Sequence, residues 1–309
     1  MNPDTSSADA QTTQPAAPTT ERAADPAPPP FIPFSAIVAG RRLDAALSSG
    51  EVGFDIPADW LQGRTAFGGL TSAIALQAMR DVAGRDWPAG AALRALQTNF
   101  IAPVAQGAVT VAVQVLREGR NVRQVLARVM QGGDVSAVLV GVFASARDTT
   151  LPPLEPARPP PAFDIDDLPH MPPSRVPPAL RPAFIRHFDM RWAAGAPPFS
   201  GAGSWEAQIH LRLTDPDAAS LPAELLTVLL ADAPPSPATS HFTRPSAASS
   251  VSWALELRPL PPDEPLAGWW RSDNRTVAAG DGYTNQQFML WSPGGRLAAL
   301  SYQVVTLYG

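Results

Sequence analysis

Cysteine is absent from this chain of 309 residues, and every basic side chain is an arginine because no lysine occurs. Without cysteine, the chain can form no disulfide, no thiolate metal site and no cysteine nucleophile. The formal net charge of -5 argues against nucleic acid as the main partner, since nucleic-acid binding relies on excess positive charge. It does not exclude an anionic ligand, which a local arginine cluster can bind.

Long apolar runs are also missing. The most apolar stretch, Val135 to Ala144, is far shorter than the roughly 20 residues that a helix needs to cross a bilayer. The N-terminus is polar and proline-rich, without the basic start and apolar run of a secretory signal. We therefore expect a soluble, cytoplasmic protein with no membrane span.

Several common catalytic motifs cannot be found. The sequence contains no HExxH pair, no phosphate loop, no dinucleotide fingerprint and no Gly-x-Ser-x-Gly elbow. The histidines lack the spacing of metal ligands, and they are His170, His187, His210 and His241. The sequence therefore predicts chemistry without a metal or a cofactor.

Two proline-rich segments divide the chain. Residues 1–34 are predicted to be a disordered tail, because residues 1–30 are rich in Pro, Ala, Thr and Ser and contain no aromatic side chain. Residues 149–183 contain several runs of proline, which predict a stiff, extended connector. The remaining segments, 35–148 and 184–309, are predicted to fold, and the apolar stretch from Phe184 to Trp192 to rejoin the folded body.

Each folded segment shows the order strand, helix, four strands. In the first, the predicted elements are a strand at Gly53–Ile56, a helix at Gly69–Ala83, and strands at Leu93–Ala102, Gly107–Arg117, Val122–Gln131 and Val135–Ala146. In the second, they are a strand at Trp205–Leu213, a helix at Ala219–Ala231, and strands at Ser249–Arg258, Trp269–Ala278, Tyr283–Trp291 and Leu297–Leu307. A single helix is well buried only if such a sheet curls around it. The chain is therefore predicted to be an α+β protein of two similar units with their sheets side by side.

Local motifs along both units support one resemblance. The first unit has Gly-Arg-Thr-Ala-Phe-Gly-Gly at 63–69, Leu-Gln-Thr-Asn-Phe-Ile-Ala-Pro at 96–103 and Arg-Glu-Gly-Arg at 117–120. The second unit has Ser-Ser-Val-Ser at 249–252, Arg-Pro at 258–259 and Gly-Gly-Arg-Leu-Ala-Ala at 294–299. This ordered set resembles the double-hotdog acyl-CoA thioesterases of the thioesterase II type, over residues 35–309 apart from the connector. The resemblance implies two fused units of a central helix wrapped by a curved sheet, and hydrolysis of acyl-CoA to CoA and a fatty or other carboxylic acid.

The resemblance also implies which residues act on water. The family uses an Asp, a Thr and a Gln, and these positions match Asp232 at the end of the second helix, Ser250 and Gln303. Gln303 lies on an apolar face of the last strand, where a buried amide needs hydrogen-bond partners. Strand alternation places Ser250 on the face opposite Trp253, and Ser249 is the alternative if the register shifts by one.

Other positions have two interpretations each. Gly68 and Gly69 offer backbone N–H groups to a thioester carbonyl, or they allow tight packing of the helix. Four arginines on the strands of the first unit can meet coenzyme A phosphates or simply face solvent, and they are Arg117, Arg120, Arg123 and Arg128.

Two departures from the family keep other functions open. Ser252 replaces an acidic residue that is common in the family, and Trp253 replaces a histidine found in some members. A non-catalytic protein that binds acyl-CoA or acyl chains is therefore an alternative. An acyl-CoA hydratase is a weaker alternative, because those enzymes pair an Asp with a nearby His. Edge strands of this fold often pair between subunits, so a homo-oligomer is a further expectation.

The two units differ in their polar side chains. Asp232, Ser250 and Gln303 all lie in the second unit, whereas the corresponding helix end in the first offers only Ala83 and Gly84. This asymmetry predicts a single active site.

Overall fold

A computed structural model of the chain describes residues 29–43, 50–88, 90–156, 158–160, 164–170 and 181–308. The helices are α1 (Phe34–Ala39), α2 (Gly68–Ala83) and α3 (Ala223–Ala231). The strands are β1 (Glu51–Ile56), β2 (Leu61–Gln62), β3 (Thr65–Ala66), β4 (Ala92–Phe100), β5 (Gly107–Glu118), β6 (Val122–Gln131), β7 (Asp134–Ala144), β8 (Phe188–Ala194), β9 (Glu206–Leu213), β10 (Ala248–Leu257), β11 (Trp270–Gly280), β12 (Tyr283–Trp291) and β13 (Leu297–Leu307).

One antiparallel sheet of 11 strands runs through the molecule, in the order β1-β5-β6-β7-β4-β10-β13-β12-β11-β9-β8. The first five strands belong to the N-terminal unit and the last six to the C-terminal unit. The units meet where β4 pairs with β10, with Leu96 opposite Leu255. The predicted side-by-side arrangement of two α+β units is therefore confirmed.

The two central helices lie on the inner side of this sheet. All eleven residues from Gly69 to Met79 of α2 are buried, because α2 packs against β1, β5, β6 and β7 as well as against α3. Seven residues of α3, Leu225 to Ala231, are buried likewise. Their apolar side chains join one continuous core, so the units share an interior rather than merely touching.

The predicted strands begin and end within two residues of the observed ones. The helix predicted from Ala219 instead starts at Ala223, and a short 3-10 helix occupies Ala218–Ser220. Pro222 explains the difference, because a proline disfavours helical backbone in the residue before it. Proline is tolerated at the very start of a helix, where its missing N–H has no partner to lose.

The predicted end of the disordered tail, at residue 34, lies too far along the chain. Phe34 is fully buried and begins α1. Before it, the Ile32 N–H donates to the buried Asp59 carboxylate (2.7 Å), and the Trp60 indole donates to the Ile32 carbonyl (2.8 Å). Residues 29–34 therefore belong to the folded body, while residues 1–28 of the predicted tail lie outside the described residues.

The described parts of the connector follow the C-terminal unit. Arg158 donates to the carbonyl of Ser292 (3.4 Å), and Arg271 donates to the carbonyl of Pro159 (2.6 Å). Strand β8, which the sequence indicated only as an apolar stretch, then pairs with β9 at the edge of the sheet. Among the described residues, the N-terminal unit has no strand outside β1, so β8 makes the C-terminal unit larger.

Within the part of the chain that the structure describes, the helices are all too short or too polar to cross a membrane.

Candidate active site

Asp232, Ser250 and Gln303 lie together in the C-terminal unit. The side-chain amide nitrogen of Gln303 donates to Oδ1 of Asp232 (2.9 Å) and to Oγ of Ser250 (2.7 Å). Both hydrogens of that nitrogen are thereby used, which leaves the amide oxygen of Gln303 as a free acceptor. Gln303 therefore holds a carboxylate and a hydroxyl in fixed positions on either side of it.

The face predicted for Ser250 was wrong, and a β-bulge is the reason. Ser250 pairs with Val305 and Ser252 with Val304, so Val251 is an extra residue in β10. An extra residue reverses the alternation of side chains along a strand. Ser250 thus shares the inner face with Trp253, which pairs with Gln303. The Ser249 alternative is not the one that contacts Gln303.

Asp232 is the residue that directly follows α3, yet its carboxylate faces the start of α2. The Gly69 N–H lowers the pKa of this carboxylate, and a Cβ atom on Gly68 would lie only 2.7 Å from Oδ2. The residue before α2, Phe67, provides no side-chain cap. A carboxylate at a helix N-terminus is stabilised by the helix dipole, so Asp232 caps a helix of the other unit.

Burial raises the pKa of Asp232 from 3.8 to about 6. The hydrogen bonds from Gln303 and Gly69 act in the opposite direction and lower the pKa. A carboxylate with a pKa near neutrality is a better proton acceptor than an ordinary surface aspartate. The position therefore suits general-base chemistry.

Two cavities meet at this cluster. The larger has a volume of about 470 Å³ and extends into the C-terminal unit. The smaller has a volume of about 160 Å³ and lies at the boundary of the two units, where Gly68, Thr71 and Phe100 line it. Asp232 and Ser250 line both cavities. A ligand that passes from one cavity to the other would therefore run past the carboxylate.

Some residues at the cluster escaped the sequence reasoning. Gln286 lies directly opposite Gln303 on β12 and lines the larger cavity. Its amide donates to Oγ of Ser236 (2.9 Å). Gln62, from the short β2–β3 hairpin of the N-terminal unit, lines both cavities. Pairing of the last two strands was predictable, but the contact between the hairpin and the C-terminal unit required the tertiary structure.

The departures at Ser252 and Trp253 lie outside the cluster. Ser252 pairs with Asn99 and Val304 and belongs to the outer face of the sheet. Trp253 is buried on the inner face, where its indole donates to Oγ of Ser301 (2.6 Å). Neither residue lines either of the two cavities.

Gly69 lies at the contact between the two central helices, and the described histidines line neither cavity. A Cβ on Gly69 would lie 3.0 Å from the Leu229 carbonyl, so this glycine allows α2 and α3 to approach closely. His187 is buried 3.0 Å from the Asp59 carboxylate, and burial lowers the pKa of this imidazole. In the described part of the chain, no histidine lines either cavity and no group of acidic or imidazole side chains could hold a metal ion.

The arginines of the N-terminal unit lie on another surface. Arg117 and Arg120 line a separate cavity together with Arg147. Arg123 instead pairs with Glu118 (3.2 Å) and lies over the Trp87 ring. Binding of coenzyme A phosphates by Arg117, Arg120 or Arg128 stays a prediction.

The continuous antiparallel sheet, the paired central helices and the repeated order of elements together define a double-hotdog protein. The family described as acyl-CoA thioesterase N-terminal domain matches residues 56–145, and the family described as acyl-CoA thioesterase C-terminal domain matches residues 156–307. The chain belongs to this acyl-CoA thioesterase family. No curated protein matches it.

Solved structures show the same fold at low sequence identity. A hot dog protein of unknown function from Alicyclobacillus acidocaldarius is 19% identical, with 89% of this chain and 98% of that chain covered and a TM-score of 0.70. The acyl-CoA thioesterase II TesB2 from Mycobacterium marinum is 18% identical, with 88% and 96% covered and a TM-score of 0.63. The dehydratase domain of RzxB from Pseudomonas fluorescens is 13% identical, with 84% and 94% covered and a TM-score of 0.54. The fold alone therefore accompanies more than one activity.

Proposed function

We propose that this protein hydrolyses acyl-CoA thioesters to CoA and a fatty or other carboxylic acid. The observation that carries the proposal is the bridge from Gln303 to Asp232 and Ser250, placed where two cavities meet. Membership of the acyl-CoA thioesterase family supports the same reaction.

In the proposed reaction, the ionised Asp232 accepts a proton from a water molecule as that water attacks the thioester carbonyl carbon. The free amide oxygen of Gln303 accepts the second hydrogen of the water and so fixes its direction. The carbon–sulfur bond then breaks, and the departing thiolate takes up the proton held by Asp232. Water and acyl-CoA thus give one carboxylic acid and one thiol.

The negative charge that develops on the carbonyl oxygen needs donors. Ser250 accepts a hydrogen bond from Gln303, so its own hydroxyl hydrogen is free to donate toward the substrate. Gly68 lines the smaller cavity at the N-terminus of α2, where the helix dipole favours negative charge. We assign the stabilising role to these two residues.

The test is the release of free thiol from a panel of acyl-CoAs, measured with a thiol reagent. We expect turnover by the wild type and a fall in kcat of about 1,000-fold in Asp232→Asn, since general-base catalysis contributes about 10²–10⁴-fold. Asp281→Asn, in the exposed turn between β11 and β12, is the matched control and should keep full activity. Unchanged kcat in Asp232→Asn would refute the assignment of the base.

The same panel separates the alternatives. Saturable binding of acyl-CoA without any thiol release by the folded wild type would indicate a non-catalytic binding protein. Hydration of a double bond in enoyl-CoA would indicate a hydratase, although no described histidine lines the cavities beside Asp232. A cytoplasmic location, a role in lipid metabolism and assembly into a homo-oligomer remain expectations from the sequence.

A further inference from the structure

The larger cavity is built by elements that the N-terminal unit does not share. Met190 and Trp192 come from the additional strand β8, and Phe184 comes from the 3-10 helix before it. Phe199 comes from the loop that joins β8 to β9. These four large apolar side chains line the same space as Asp232. The space is therefore suited to a hydrophobic ligand group rather than to water alone.

Phe199 holds an unusual backbone conformation in this wall. Its φ is 61°, and among the described residues Asp281 is the only other non-glycine residue with a positive φ. Phenylalanine avoids this left-handed region because its Cβ collides with the backbone. The loop is nevertheless fixed, since Phe199 donates its N–H to the Thr239 carbonyl and Gly201 donates to the Phe242 carbonyl (both 2.9 Å).

Strained residues that persist are often held for a function, and here the strained residue faces the cavity. Ser200 and Gly201 follow it directly, and Gly201 itself has a φ of 69°. A glycine at 199 would relieve the strain but would remove the aromatic ring from the cavity wall. Phe199 therefore combines a strained backbone with an aromatic ring in the cavity wall.

We propose that the larger cavity binds the acyl group of the substrate and that Phe199 sets the length it accepts. This inference rests on the proposed thioester hydrolysis, and it names the substrate class as medium-chain acyl thioesters. A water-sized group occupies about 30 Å³ and a methylene is similar in size, so a cavity of about 470 Å³ has room for about fifteen such groups. That accommodates acyl groups of roughly eight to twelve carbons together with the reacting water, whereas the roughly sixteen carbons of a palmitoyl group exceed it.

The smaller cavity then receives the thiol side of the thioester. Its volume of about 160 Å³ is too small for a long acyl chain, and threonines Thr65 and Thr71 give it polar lining. The thiol side of an acyl-CoA is a narrow chain with amide groups, and this polar lining suits it better than the aromatic lining of the larger cavity does. The thioester carbonyl would lie between the two cavities, beside Asp232 and Ser250.

The first test is the chain-length dependence of kcat/KM from acetyl-CoA to palmitoyl-CoA. We expect kcat/KM to rise by up to about 4,000-fold from acetyl to octanoyl, since burial of each of the six additional methylenes is worth about four-fold. The optimum should fall between about eight and twelve carbons, on the volume argument above. Equal kcat/KM for acetyl and decanoyl substrates would overturn the assignment of the cavity.

The second test changes the wall. Phe199→Ala should move the optimum to acyl groups longer by about two carbons or more, and Phe199→Trp should move it to shorter ones. Tyr283→Ala removes an exposed aromatic ring outside both cavities and should leave the profile unchanged. An unchanged profile in both Phe199 variants would overturn the role of this residue.

Phe199→Gly is the control for the possibility that Phe199→Ala fails to fold. It should show the same chain-length profile as Phe199→Ala and a higher unfolding temperature, because glycine accepts the left-handed backbone. If the chain-length profile of Phe199→Gly matches that of the wild type, the Phe199 ring does not limit the length of the acyl group.

Binding separates this inference from the proposed function. Affinity of the wild type for a non-hydrolysable thioether analogue of acyl-CoA, measured by calorimetry, should rise with chain length and should fall in Phe199→Trp for the longer chains. If this pattern occurs without hydrolysis, the acyl cavity stands and the proposed activity fails. If hydrolysis is efficient but neither affinity nor rate depends on chain length, the activity stands and the acyl cavity fails.

Discussion

The two helices α2 and α3 meet at two places, and the two junctions have opposite character. Where α3 ends beside the start of α2, the Asp232 carboxylate faces two cavities and bonds to Gln303. Where α2 ends beside the start of α3, Arg80 forms two hydrogen bonds to the carboxylate of Glu224 (2.5 Å each). The first junction therefore exposes the carboxylate of Asp232 to the cavities, whereas at the second junction Arg80 and Glu224 bind each other.

The strand register shows which residues correspond between the junctions. A bulge interrupts β10 and β13 after Ser250, and a bulge interrupts β4 and β7 after Leu93. Leu93 and Ser250 each stand directly before a bulge, so these two residues correspond. The residue three positions after Leu93 pairs with Gly141, and the residue three positions after Ser250 pairs with Gln303, so Gly141 corresponds to Gln303. Gly84 and Asp232 are the residues that end the two helices. The N-terminal unit thus replaces each of the three polar residues with an apolar residue or a glycine.

Packing explains why the second junction holds no site. A Cβ on Gly141 would lie 2.8 Å from Sδ of Met79, so no side chain like glutamine fits at this position. The Arg80 guanidinium also lies over the Phe143 ring, 4.7 Å from its centre. Arg80 at the end of one helix and Glu224 at the start of the other both complement the helix dipoles. The comparison shows that one junction carries the proposed catalytic residues, whereas the other carries a partly buried ion pair and close packing.

The sharpest way to break this comparison is to remove the bridge at the chemical junction. In Gln303→Ala, kcat should fall by about 100-fold, because loss of a preorganised group in a catalytic site typically costs that much. Thiol release from the preferred acyl-CoA measures it. Gln287→Ala is the control, since Gln287 pairs with Tyr302 on the outer face of the same sheet. A similar loss in both variants would mean that Gln303 acts only through the sheet.

The second prediction concerns the other junction. Glu224→Gln should lower the free energy of unfolding by about 2 kcal/mol, because it weakens charge-assisted hydrogen bonds to a partly buried arginine. Its kcat should stay at the wild-type value where the variant is folded. Urea unfolding and thiol release measure the two effects.

The exposed pair of Glu206 with Arg275 provides the control for this prediction. Glu206→Gln should leave the unfolding curve almost unchanged, since exposed ion pairs contribute little. A loss of kcat in Glu224→Gln as large as that in Gln303→Ala would contradict the division between the two junctions.

A further expected effect is on the stability of the protein through Asp232 itself, and it depends on pH. The pKa of Asp232 is about 6 in the folded chain and near 3.8 when unfolded, so the folded state binds the proton more tightly. Stability from this group is therefore present at low pH and is lost as the pH rises through 6. At pH 7.5, Asp232→Asn should be more stable than the wild type by up to about 3 kcal/mol, which is the value of a pKa difference of about two units, and the difference should vanish near pH 3.5.

The same titration should shape the rate. Only the ionised Asp232 accepts a proton, so kcat/KM should be constant well above pH 6 and should fall about ten-fold per unit well below it. A rate that stays constant down to pH 4.5 would exclude Asp232 as the base. Thermal unfolding across the same pH range checks the stability of the protein in parallel.

Much of this fold was predictable from the sequence, because alternating valines, glycine turns and apolar helices are local signals. The positions of Asp232 and Gln303 on a helix end and an apolar strand face were predictable too. The inward direction of Ser250 was not, since a single extra residue in β10 reverses the faces and leaves no local signal. The capping of α2 by Asp232 depends on contacts between residues far apart in sequence, which no local pattern encodes.

The pairing of β4 with β10 has a consequence for how such a molecule can change. Two separate, identical units joined along these strands would present the same residues at both junctions. In one continuous chain, each junction is encoded independently, so Gly141 and Gln303 occupy matching places without conflict. The covalent link therefore allows the two units to carry different residues at matching positions of one sheet.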